Sequence, residues 1–159
     1  MMEQKKNVLS NELFEVIVPL LEEGQSASFY VSGMSMWPFI CHKRDSVVIK
    51  KADPEKLRIG DIVLLKAPIV DKYLLHRVTH LRKETGEFQT TGDGNCFRDG
   101  WFPEDCVVAV VTHIDYRGKR IPVTDGKYKA LSTIWRWLYP VRPLLLHTLQ
   151  TISKIKHRI

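Results

Sequence analysis

Between Ser28 and about Val123 the chain is written in short β-branched runs separated by turn residues, and this alternation dictates what it can fold into. SFYVS (28–32), SVVIK (46–50), DIVLLKA (61–67), KYLLHRVTHL (72–81), EFQTTG (87–92), CVVAVVTHI (106–114) and RIPVT (120–124) each have the length and composition of a strand. Ala52-Asp53-Pro54, Ile59-Gly60-Asp61, Thr85-Gly86, Gly92-Asp93-Gly94-Asn95 and Arg117-Gly118 supply the turns between them. Seven strands at this spacing predict a mainly β fold, an antiparallel sheet that coils back on itself.

Helical patterns flank the strands. Apolar residues from Val8 to Leu21 form a helical stripe, with Asn7 or Ser10 as N-cap, Gly24 as the stop and Pro19 bending the helix or ending it early. From Lys127 the strand pattern ends. KYKALSTIWRWLY is helix-compatible, Pro140 and Pro143 interrupt it, and LLLHTLQTISKIKHRI follows as a second helix. The chain therefore divides into a β domain with its N-terminal helix, 1–126, and a helical C-terminal extension, 127–159, expected as an appendage.

A hydrophobic fraction of 44% against 26% charged residues excludes wholesale disorder. The charge is unevenly placed. Residues 127–159 hold seven Lys and Arg and no Asp or Glu, which leaves the first 126 residues with 17 basic against 18 acidic side chains. Cys41, Cys96 and Cys106 are odd in number and in no metal-ligand spacing, so neither a disulfide framework nor a zinc site is expected, and no cofactor. The N-terminal segment is too acidic for a signal peptide, and no window reaches the roughly 20 apolar residues of a membrane span. The expected location is the cytoplasm.

Three elements carry chemistry. Ser35 follows a strand in VSGMSMWPFI, where Gly33 permits close backbone approach and Pro38 fixes the chain beyond; the bland reading is a serine in a surface turn. His76 lies mid-strand in KYLLHRV, where alternation sets Leu74, His76 and Val78 on one face and Tyr73, Leu75 and Arg77 on the other. His80 competes with it on the same face, and a hydrogen-bonded core histidine is the plain alternative. TGDGNCFRDG offers Asp93 and Asp99, each next to glycine and each able to serve only as a turn residue. Together they supply a nucleophile, a base and an acid to orient it.

In this order and spacing the boxes resemble the signal peptidase I clan of serine peptidases, whose core is shared with the self-cleaving SOS repressors. The resemblance runs from about Tyr30 to Ile114. GMSMWP resembles the clan's nucleophile box, RIGDIVLLK its GD-containing strand, LLHRV its base box, TGDGN its acidic box and CVVAVVTHI its last core strand. Histidine at position 76, where many bacterial members carry lysine, is similar to the branch found in endoplasmic reticulum and archaeal signal peptidases and in some bacterial ones. That branch implies Asp99 as the His76 partner, with Asp93 in the turn as the alternative. The anchoring helix of the clan is replaced here by a charged amphipathic segment, as in its compact bacterial members.

The resemblance implies a serine endopeptidase acting on a peptide or small protein precursor through Ser35, His76 and Asp99. It implies an oxyanion site at the Ser35 N–H and a substrate strand beside the nucleophile, with Gly33, Met34, Met36 and Trp37 as candidate substrate contacts. A self-cleaving regulatory domain and a non-catalytic peptide-binding module on the same fold are the alternatives. Trp135, Trp137 and Tyr139 among Arg136, Arg142, Lys154, Lys156 and Arg158 suit an anionic membrane surface at the inner face; helix packing on the β body competes, and nucleic acid is disfavoured because no recognition motif accompanies the charge.

Overall fold

A computed structural model describes residues 11–156, with side chains from 12 to 152. The N-cap candidates Asn7 and Ser10, and Arg158, lie outside the described residues, as do the side chains of Lys154 and Lys156. Helix α1 (Asn11–Glu22) leads into strands β1 (Ala27–Tyr30), β2 (Ser46–Lys51), β3 (Ile62–Ala67), β4 (Lys72–Arg82), β5 (Glu87–Thr91), β6 (Trp101–Pro103), β7 (Val107–Tyr116) and β8 (Lys119–Pro122). Helices α2 (Gly126–Trp137) and α3 (Arg142–Lys156) complete the chain, joined by a short 3-10 turn over Tyr139–Val141.

All strand pairs are antiparallel, in the order β1-β2-β7-β3-β4-β5-β6. β7 organises the sheet: one edge runs along β2, while the other takes β3 at Leu65–Val63 and then β8 at Pro122–Lys119. The result is a mainly β fold, a curled antiparallel half-barrel with helices at both chain ends.

The curl has two apolar faces, and β3 feeds both. Ile62 and Leu64 join the larger core with Val47, Ile49, Leu75 and Val111; Val63 and Leu65 join the smaller one with Val78, Phe88 and Val107. A strand buried on both sides needs apolar residues in succession, which is why IVLL does not alternate.

Helix α1 covers the larger core through Phe14, Ile17 and Leu21, each worth about 1.5–3 kcal/mol of burial. Phe14 stands edge-on to Phe29 of β1 at 5.5 Å and 4.3 Å from the Tyr73 ring of β4, so it links two strands that are not neighbours in the sheet. Of the two effects expected of Pro19, bending the helix or ending it early, the early end does not occur, since the helix runs on to Glu22. Pro19 sits on the exposed side, where the carbonyl left without an amide donor faces water. Gly24, at φ +80°, stops it instead.

Two further differences from the sequence reading concern strands. β6 escapes the pattern because it is three residues long and ends in proline, which an edge strand tolerates. In β4 the register slips between Val78 and His80: Val78 faces Thr90 whereas His80 faces Gln89. Adjacent β5 residues point to opposite faces, so His80 leaves the face of His76 and is no competitor for its role.

The C-terminal helices pack on the β body. Trp135, Arg142 and Leu146 are buried, and Tyr128 and Trp135 pack edge-on against Phe39. No described helix is long and apolar enough to cross a membrane.

Candidate active site

His76 is held by β4 with its side chain toward the smaller core, and it is 6% exposed. Its Nδ1 lies 2.6 Å from Asp99 Oδ2. Asp99 is fastened to β5 by its own N–H donating to the Thr90 carbonyl at 2.9 Å and by the Gln89 amide donating to its carbonyl at 2.8 Å. The Thr90 hydroxyl donates to the same Oδ2 at 2.6 Å. A carboxylate in this position accepts a hydrogen bond from Nδ1–H, which leaves Nε2 with its lone pair free. Nε2 has no hydrogen-bond partner among the described residues.

Asp93 is committed elsewhere. One residue after His76, Arg77 points to the opposite face and grips Asp93 through Nε at 2.9 Å and a terminal nitrogen at 2.6 Å. Both side chains are buried. Arg77 also donates to the Gly60 carbonyl at 2.9 Å and the Tyr128 hydroxyl at 3.0 Å. Burial opposes the guanidinium charge, but Asp93 and Tyr128 outweigh it and raise the Arg77 pKa above its ordinary value. Burial also pushes the Tyr128 hydroxyl up. Gly60, at φ +103°, turns its carbonyl toward this arginine, which gives the RIGD segment a structural task. The alternative of Asp93 as the His76 partner is therefore corrected: adjacent strand residues face opposite ways, and each takes a different acid.

Ser35 sits in the turn after β1, half-buried. Its carbonyl accepts the Gly94 N–H at 2.8 Å, so the Ser35 turn rests on the acidic turn. The contact is tight: a Cβ on Gly92 would lie 2.5 Å from the Ser35 carbonyl oxygen, and one on Gly94 2.5 Å from that of Met34. Gly92 follows Thr91, the register partner of Arg77, so this seat lies at the end of β5 beside the base box. The Ser35 N–H donates to no described residue, and its hydroxyl makes no hydrogen bond to His76.

The neighbours of Ser35 differ in role. Gly33 is needed for its backbone, at φ +91°, because the space around an added Cβ is open; close approach belongs to Gly92 and Gly94. The Gly33 N–H donates to His42 Nδ1 at 2.8 Å. Met34 is 56% exposed and Trp37 half-buried, so both are accessible. Met36 is not: at 1% exposure it fills the larger core and offers no substrate contact, a correction to the sequence reading.

From the other side, α2 and α3 hold the acidic turn. The Trp135 indole donates to the Asp93 carbonyl at 2.9 Å, and Arg142 to the Gly92 and Asn95 carbonyls at 3.3 Å each. The Tyr139 hydroxyl donates to the Cys96 carbonyl at 3.2 Å. Sequence reasoning missed Arg77, Thr90 and His42, and read Arg142 as part of a basic surface. Only Arg77 left a signal, as a cation alternating with Tyr73 and Leu75 on one face of β4. Among the described residues no three His, Cys, Asp or Glu side chains converge as a metal site. Comparison with known protein families and with curated proteins finds no match to this chain.

Proposed function

We propose that the chain is a serine endopeptidase with Ser35 as nucleophile, His76 as general base and Asp99 as its orienting acid. The observation that carries this reading is the His76–Asp99 pair at 2.6 Å, buried, with a second donor from Thr90 and the outer imidazole nitrogen unclaimed. His76 Nε2 is not among the buried atoms left without a partner, so it reaches solvent, as a general base that must meet substrate requires. The resemblance of GMSMWP, LLHRV and TGDGN to the signal peptidase I clan supports the same assignment.

In the reaction, Ser35 Oγ attacks a peptide carbonyl while His76 Nε2 takes its proton, and Asp99 stabilises the imidazolium. The Ser35 N–H is one donor for the oxyanion. The proton then passes to the leaving amine as the C–N bond breaks, and water attacks the acyl-enzyme with His76 again as base. β1 pairs only with β2 among the described strands, so its other edge, leading into Gly33 and Ser35, is open to an extended peptide. Met34 and Trp37 border that approach, and the substrate is a peptide or small protein precursor.

The test is cleavage of a peptide library read by mass spectrometry. The wild-type chain should cut, Ser35→Ala should not, and Asp99→Asn should lower kcat by about 10⁴-fold through the wrong imidazole tautomer. Full activity in Ser35→Ala would remove the serine from the mechanism.

A further inference from the structure

Helices α2 and α3 carry more apolar surface than the protein buries. The inner side of α2 is Tyr128, Ser132 and Trp135, while Leu131, Ile134 and Leu138 repeat at helical spacing on another side and stay exposed. Trp137 joins them at 78% exposure, and the patch continues around the Tyr139–Val141 turn to Val141 and Leu144, the latter at 70%. No described residue covers these side chains, and an indole so exposed is unfavourable in water.

Charge selects the occupant. No Asp or Glu occurs from Gly126 to the end of the chain, and Lys127 is exposed on the same side of α2 as Leu131, Ile134 and Leu138, whereas Lys129 faces Asp61 on the other side. Arg142 is buried and Arg136 lies against Gly60, so the electrostatic pull is smaller than seven charges would give. The other exposed apolar stripe, Leu13, Val16 and Leu20 on α1, is flanked by Glu12, Glu15, Glu22 and Glu23 and would be repelled by an anionic partner. A second copy meeting it patch to patch would set one basic surface against another. We propose that the outer face of α2 and the start of α3 is a docking surface for an anionic phospholipid bilayer, with Trp137 at headgroup depth and Ile134, Leu138 and Leu144 at the acyl boundary. The inner residues of the same helices hold the turn beneath Ser35, so docking sets the candidate active site beside the lipid. The docking itself does not depend on the peptidase reading.

Co-sedimentation of the full chain with vesicles tests it. Phosphatidylglycerol–phosphatidylcholine vesicles at low salt should pellet the protein with a blue-shifted indole emission, and phosphatidylcholine alone should not. The double variant Ile134→Gln/Trp137→Gln removes only exposed side chains, so it should keep its thermal melt and lose binding at least tenfold. Lys127→Glu should weaken binding and flatten its salt dependence. Protein left in the supernatant with anionic vesicles, undiminished binding in the double variant, or a dimer that buries Trp137 in solution would each overturn the proposal.

Discussion

Two neighbouring residues on one strand sort two acids. His76 faces the smaller core and takes Asp99; Arg77 faces the other way and takes Asp93. Period-two alternation makes the first half of this legible, because it sets His76 and Arg77 on opposite faces of β4. The second half is hidden, since sequence spacing does not say which acid a buried guanidinium reaches. The glycines mislead for a similar reason. A glycine ahead of the nucleophile suggests close approach at Gly33, whereas the backbones meet at Gly94, on a segment distant in sequence. Gly94→Ala should therefore push the Ser35 turn away, costing about 1–3 kcal/mol in a denaturant melt and lowering kcat more than KM. Unchanged stability and activity would mean that the contact between the two turns does not position Ser35.

At the scale of elements, β-branched runs and glycine turns announce all the long strands, because a strand buried on one or both faces must be written in those residues. β6 goes unseen because it draws its order from the neighbouring β5 rather than from its own sequence. Helices α2 and α3 are legible as helices, but their seat is not: helical periodicity gives an apolar side without naming what it packs against. Two tryptophans two residues apart in α2 make the distinction measurable. Trp135 is 8% exposed, meets Phe39 and donates to Asp93, so Trp135→Ala should cost about 3–5 kcal/mol. Trp137→Ala, at 78% exposure, should stay within about 0.5 kcal/mol of the parent. Urea titrations of both variants check this, and equal losses would mean that α2 is seated otherwise.

At the scale of the whole molecule, the half-barrel serves as a frame that holds separate segments against one another. β4 supplies the imidazole, β5 and the loop after it the carboxylate, and the acidic turn the seat for Ser35, while α2 and α3 brace that turn from outside. The arrangement accounts for why a chain this small keeps a buried ion pair next to its candidate base: Arg77 and Asp93 lock the acidic turn, and the acidic turn supports Ser35, the proposed nucleophile. The central claim is that Ser35 is activated by His76. Its most direct measurement is covalent labelling of the full-length protein by a fluorophosphonate probe, with the modified residue located by peptide mass mapping. The account predicts one adduct, on Ser35, that disappears in His76→Ala while the fold is retained. A serine that fails to label, an adduct elsewhere, or labelling at full rate without His76 would contradict it.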